Sequence, residues 1–207
     1  ENIFIEGLVE NFVRSPIQKN NLQESDAELI QIPGTSFIIA ITTDSIVEEI
    51  ERGLYTDPYT IGWMTVITNV SDLSAVGAKP IGILLNETLP QDVDIVFLKK
   101  IQEGIKDDCS LCNINVLGGD TNFSSRLHMG ATAIGIIPEE KYLMRRGCTP
   151  GDLLFVSGSV GQGNSFAFNK LVQNKTFKDN RIRYQPGHRL KEGIILRKYA
   201  SCCMDSS

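Results

Sequence analysis

Four aspartates stand where carboxylates could be gathered around a cation. Asp44 follows the apolar run 36–42 (SFIIAIT) through Thr43. Asp120 follows the run 113–117 through Gly118-Gly119. Strands of one sheet that end at a common edge bring such residues together. Asp72 lies on a helical stretch able to cover that sheet, and Asp26 precedes the first strand. Taken singly, each acid also suits a cap, a turn or the solvated surface. As a set they read differently, because carboxylates a few ångströms apart cannot all stay ionised without neutralisation. Hard divalent cations supply it through oxygen ligands, and magnesium typically joins carboxylates to substrate phosphates. The Gly118-Gly119 pair leaves room for close backbone approach beside Asp120.

Other chemistries have less to stand on. The stretch 158–165 (GSVGQGNS) approaches the phosphate loop G-x-x-x-x-G-K-[ST] between a strand and a helix, but Asn164 replaces the lysine that reaches the outer phosphates. A glycine turn closing a strand–helix connection is the expectation there. His128 and His188 lie far apart with no evident catalytic partner, and no G-x-S-x-G elbow occurs. Cys109-x-x-Cys112 is at most half a zinc site, since Cys202-Cys203 has the wrong spacing for the other half. Five cysteines without regular spacing argue against a disulfide framework and for a reducing, cytoplasmic compartment.

The elements that must position these residues form an alternating series. Strands are expected over 36–42, 81–88, 113–117 and 127–137, the third stopped by Gly118-Gly119. In the stretch 61–76, Trp63, Val66, Ile67, Val70 and Leu73 recur at helical spacing, which groups Thr65, Asn69 and Asp72 on the opposite face. Gly77 and Pro80 end that helix. A second helix of about 15 residues follows Pro90-Gln91-Asp92, striped by Leu98, Ile101 and Ile105. The turn-rich stretch 145–152 (RRGCTPGD) marks a boundary between a unit over 1–144 and the beginning of another over 145–207. Beyond it a strand (LLFVSG), the glycine loop, a helix over 164–172, a polar stretch and a last helix over 189–199 are expected. Two adjoining strands without an intervening helix favour α+β over a doubly wound sheet.

The 207 residues are 42% hydrophobic and 22% charged, an ordinary globular composition with material for a sizeable core. A net charge of −5 without a basic stripe argues against nucleic acid. No apolar run is long enough to span a bilayer, and the acidic opening ENIFIEGLVE carries no basic leader. The end at Met204-Asp205-Ser206-Ser207 is more abrupt than a domain's close, as expected of a fragment.

Six stretches in order resemble the thiamine-monophosphate kinase family, within the superfamily of aminoimidazole ribonucleotide synthetase. Asp26-Ala27 is similar to the end of its G-D-D stretch, and Thr42-Thr43-Asp44 with Ile46-Val47 to S-T-D-x-L-V. The stretch 69–80 (NVSDLSAVGAKP) is similar to N-L-S-D-L-A-A-M-G-A-x-P, and 118–121 equals G-G-D-T. The stretch 145–152 resembles R-S-G-A-x-P-G-D, and 204–207 the start of I-D-x-S-D-G. The resemblance implies an α+β fold of the aminoimidazole ribonucleotide synthetase type: a mixed sheet with helices on one face, then the start of a C-terminal α+β domain. It implies a homodimer whose sheets pair across a two-fold axis, with ATP near that interface.

The activity implied is transfer of a phosphoryl group from ATP to a small phosphate-bearing substrate, thiamine phosphate, with magnesium ions. By resemblance, Asp26, Thr42, Thr43, Asp44, Asp72, Asp120 and Asp205 are the metal-holding positions, with Asp72, Asp120 and Asp205 central to catalysis. Gly119, Asp120, Arg145 and Ser207 match ATP contacts. The physics agrees, since phosphoryl transfer needs positioning and charge neutralisation more than covalent catalysis, and a forked guanidinium at Arg145 suits a triphosphate. Ser25 and Glu24 depart from G-D-D, and Glu51 replaces the substrate-contacting histidine. An ATP-using cyclo-ligase of purine synthesis and a non-catalytic nucleotide-binding relative are the alternatives.

Overall fold

The computed structural model describes residues 2–138, 141–173 and 184–206, leaving aside the side chains of Asn2, Ile3 and Glu6. The polar stretch near 175–183 and Ser207, an expected ATP contact, lie outside the described residues. After helix α1 (Asn2–Val9), five strands form one mixed sheet: β1 (Glu28–Gln31), β2 (Phe37–Ser45), β3 (Lys79–Pro90), β4 (Asn115–Ser124) and β5 (His128–Pro138). Their order is β1-β2-β5-β3-β4, antiparallel except for the parallel pair β3–β4. A parallel pair needs a crossover, supplied here by α4 (Ile95–Cys112). The fold is α+β, with the helices on one face of the sheet.

Helix α3 (Pro58–Ala75) is the central element, lying on β2, β3 and β5 and packed in turn by α4 and by α6 (Leu190–Leu196). It starts three residues before the expected 61, at Asp57-Pro58: the Asp57 carboxylate accepts from Thr60 N at 2.8 Å, and proline occupies the first turn. Nearly all of α3 is buried, polar positions included. Those polar groups bond to their own helix. Thr65 Oγ1 donates to Ile61 O (2.9 Å), Asn69 Nδ2 to Thr65 O (3.1 Å) and Ser74 Oγ to Val70 O (2.8 Å). Burial therefore leaves few of these groups orphaned.

Several elements run past their expected bounds. Strand β2 continues through Asp44, so Asp44 lies within the strand. Strand β4 continues through Gly118 and Gly119 to Ser124, so Asp120 is mid-strand and the glycines are not a stop. The reason is tertiary. A Cβ on Gly119 would stand 2.2 Å from Leu85 O, so glycine lets β4 lie against β3, and a bulge at 83/84 absorbs the irregularity. The expected strand at 153–158 is not one: Leu153, Leu154 and Phe155 are exposed, and no described strand pairs with them. The helix expected over 164–172 divides into α5 (Gln162–Ala167) and a π-helical turn, Phe168–Val172. The last helix ends at Leu196 rather than 199. Strand β1, helix α1 and the short α2 (Val47–Glu51) carry no strong pattern and were not expected.

The helix crossing is backbone against backbone. A Cβ at Gly62 would lie 2.0 Å from Ile101 O, and one at Gly104 2.1 Å from Tyr59 O. Gly104→Ala is therefore expected to force α3 and α4 apart and to cost about 1–3 kcal/mol. Urea unfolding checks this, with Gly187→Ala, which meets nothing within 4 Å, unchanged.

Candidate metal centre

The polar face of α3 rests on the far half of β2. Thr42 Oγ1 donates to Asp72 Oδ2 at 2.6 Å, and Asp44 N donates to Asn69 Oδ1 at 3.0 Å. Two further segments reach the same place. The connection after β5 brings Arg145, whose Nε and Nη2 lie 2.9 and 2.7 Å from Asp26 Oδ1. The segment after α6 brings Asp205, whose Oδ2 accepts from Ser71 Oγ at 3.3 Å. Each of Asp26, Asp72 and Asp205 thus offers a carboxylate oxygen, and these three atoms lie within 4.8 Å of one another.

The electrostatics follow from crowding. Burial pushes the Asp72 carboxyl up to about 7; the Thr42 hydrogen bond opposes this, while Asp205, Asp26 and Asp44 add to it. Asp26 is also held above the usual carboxylate range by burial, against the pull of Arg145. Asp44 is raised chiefly by burial, with Asp205 contributing. The Asp26 side chain is 0% exposed and its Oδ2 has no hydrogen-bond partner. Neighbouring Ser25 Oγ is likewise buried and unpartnered. An orphaned carboxylate oxygen facing two more carboxylates suits a hard cation better than it suits solvent-free protein.

Asp120 stands apart from this cluster. The sheet register aligns Asp44 with Ala131, Leu85 and Gly119, and aligns Asp120 with Asn86, Gly130 and Ser45. That one-residue offset sends Asp120 out of the opposite face. Strand β4 also lies three strand spacings from β2, about 14 Å. The expectation that Asp44, Asp72 and Asp120 converge on one concave site is therefore corrected: Asp120 lies on the opposite face of the sheet. The exposed Asp120 carboxylate accepts from Asn122 Nδ2 at 2.7 Å. Thr43 shares the open face, where its hydroxyl donates to Ala131 O and accepts from Thr132 Oγ1. Glu51 is paired with Arg126 at 2.6 Å, so the carboxylate replacing the family's histidine is neutralised locally.

The glycine loop leads to a six-residue helix, beside a depression of about 390 Å³ whose wall (Val160, Gly161, Gln162, Ser165, Phe166 and Asn169) has no basic side chain. Cys109 and Cys112 are buried on α4 beside Asp108, away from any described ligand set. Sequence reasoning missed Ser71, which holds Asp205, and the Arg145–Asp26 pair; neither has a local signal, since the partners are over a hundred residues apart.

Residues 24–137 match the family model of AIR synthase related protein, N-terminal domain. The chain belongs to that family. Among its curated relatives, thiamine-monophosphate kinase of Buchnera aphidicola (from Schizaphis graminum) is 34% identical over 190 residues, covering 88% of this chain and 57% of the relative. The thiamine-monophosphate kinase of Methanocaldococcus jannaschii is 30% identical, covering 89% and 61%. In fold the chain is similar to AaThiL complexed with AMPPCP and TMP, at a TM-score of 0.78 and 23% identity, covering 97% of this chain and 62% of that one. The chain thus spans about three-fifths of the length of these proteins. No described helix is long and apolar enough to cross a membrane.

Because folding raises the Asp72 value from near 4 to about 7, the folded state holds a proton that the unfolded chain has released across that window. Stability of the metal-free protein is expected to fall as pH rises from about 4 to 7. Buried Asp108, also pushed up to about 7 by desolvation, adds the same slope. Thermal melts across pH check this: Asp72→Asn should remove part of the slope, and magnesium should raise the melting temperature at pH 7.5 in the parent but much less in the variant.

Proposed function

We propose that the chain is the metal- and nucleotide-binding portion of a magnesium-dependent kinase that transfers the γ-phosphoryl group of ATP to thiamine monophosphate. The observation that carries this reading is the cluster of Asp26, Asp72 and Asp205 with an orphaned buried oxygen. The names of the relatives supply the reaction. Asp26, Asp72 and Asp205 would hold magnesium, with Asp44 beside them. The ion supplies neutralisation of triphosphate charge. Without it, each pair of unit charges about 4 Å apart would repel by roughly 4 kcal/mol at an effective dielectric near 20.

The chain's own groups divide the remaining work. Thr42 and Ser71 orient Asp72 and Asp205 by hydrogen bonds. Arg145 uses two donors on Asp26 and keeps its other Nη for an anionic ligand. Glu51, neutralised by Arg126, retains an acceptor oxygen for an amine or hydroxyl of the acceptor substrate. The open face of the sheet carries Phe37, Ile39, Ile41, Leu84, Ile134 and Ile136 in register, a contiguous apolar surface of the kind that pairs with another protein. In our reading it pairs with a second copy. Asp120 and Gly119, on the strand bordering that face, meet the nucleotide near this pairing.

Calorimetric titration of ATP tests the reading. Binding is expected only with magnesium, and Asp72→Asn and Asp120→Asn should each weaken it at least tenfold, about 1.4 kcal/mol. Equal affinity with magnesium, with chelator and in both variants would refute it. In the protein of full relative length, ADP release should follow addition of thiamine monophosphate and not of formylglycinamidine ribonucleotide.

A further inference from the structure

Two segments remote in sequence form the rear wall of the acidic cluster. The connection 144–152 and the segment 201–205 run against each other: Cys203 N donates to Met144 O at 2.9 Å, and Ser201 Oγ donates to Asp152 Oδ2 at 3.0 Å. Their backbones touch at Gly147 (φ 125°), where a Cβ would stand 2.5 Å from Ser201 O. One residue further along each segment are Cys148 and Cys202. Cys148 is exposed and Cys202 half-buried, and both are free thiols. The first segment carries Arg145, which grips Asp26; the second carries Asp205.

We propose that Cys148 and Cys202 are a reversible disulfide site that staples the Asp205 segment to the Arg145 segment. The two thiols are brought together by the contacts that flank them, Cys203 N on Met144 O, Ser201 Oγ on Asp152 and Gly147 against Ser201 O, and Cys148 is close enough to act on the Cys202 thiol. Burial first, and then this neighbour, hold the Cys202 thiol above its ordinary range, so the exposed Cys148 is the point of entry. With a low-molecular-weight disulfide such as oxidised glutathione as oxidant, Cys148 thiolate attacks one of its sulfurs. A Cys148 mixed disulfide forms and one glutathione thiolate leaves. Cys202 thiolate then attacks Cys148 Sγ, the intramolecular S–S bond forms, and the second glutathione thiolate leaves. The cysteines lose two protons and two electrons in total, and oxidised glutathione gains them as two thiols.

The staple restricts Asp205, which arrives on an irregular segment, so the cross-linked protein binds a divalent cation more tightly. That consequence rests on the metal reading proposed above; the cross-link itself does not. Cys203, adjacent in sequence, is the internal control.

The test is titration of the native protein with oxidised glutathione, followed by alkylation, intact mass and non-reducing peptide mapping. A loss of two hydrogens, with the peptides of Cys148 and Cys202 joined, is expected. Cys148→Ser and Cys202→Ser should each abolish the cross-link, Cys203→Ser should keep it, and dithiothreitol should reverse it. A bridge from Cys148 to Cys203, or one that forms only after denaturation, would overturn the proposal. Manganese binding, followed by electron paramagnetic resonance, should be several-fold tighter in the oxidised form. Equal or weaker binding would overturn the coupling. Manganese bound by neither form would refute the metal reading and the coupling with it, while the peptide map alone decides the cross-link.

Discussion

Three carboxylates crowded at a half-buried site set the terms for the rest of this molecule. Negative charges held so close cannot be tolerated by hydrogen bonds alone. Asp72 has a hydroxyl from Thr42, Asp26 has a guanidinium from Arg145, and Asp205 has a hydroxyl from Ser71. One arginine does not balance three acids, and Asp26 still has an oxygen without a partner. The arrangement is at rest either with a proton on Asp72, which its value of about 7 expresses, or with a cation between the carboxylates. The same imbalance that costs stability in the metal-free protein is what favours the cation.

Holding such a cluster requires a rigid frame, and α3 is that frame. Its burial on the sheet below and against α4 and α6 above fixes Asn69, Ser71 and Asp72 in depth and rotation. Three glycines make the packing possible at two crossings. Gly62 and Gly104 admit the backbones of α4 and α3 to each other, and a Cβ on Gly193 of α6 would stand 2.0 Å from Ser74 O. Two of the three acids are then delivered by irregular chain, Asp26 before β1 and Asp205 after α6. The rigid part of the site is the helix and strand; the adjustable part is the rear wall, where Arg145, Cys148, Cys202 and Asp205 lie.

The sheet divides the chemistry between its faces. The covered face holds the carboxylate cluster. The open face holds aliphatic side chains with Thr43 and Thr132, and Asp120 at the far edge. A nucleotide bound to both the cluster and Asp120 cannot do so through one sheet, because β-strand alternation separates them by the sheet's own thickness. Pairing of two sheets through their open faces, as proposed above, would give Asp120 a place near a nucleotide, so the proposed homodimer and the proposed role of Asp120 stand or fall together.

Much of this was legible in the residues alone. The 3.6-residue period of 61–76 placed Asn69 and Asp72 on one face of a helix, because periodicity reports burial directly. Six motifs in order pointed to the family, and two adjoining strands without a helix between them pointed to an α+β sheet. Local pattern misjudged where strands stop. Gly118-Gly119 reads as a break, yet the backbone of β3 needs glycine opposite Leu85 and carries β4 on through Asp120. Within the extended strand, the register turns Asp120 to the face opposite Asp44. The run at 153–156 has strand composition, but a strand exists only when another pairs with it. Nor could any local signal bring Asp205 to Asp26 and Asp72, or Cys202 to Cys148, since these meetings depend on how α6 docks on α3. Composition and period determine which residues are buried together in one element; contacts between distant segments are decided by packing, which only the tertiary structure contains.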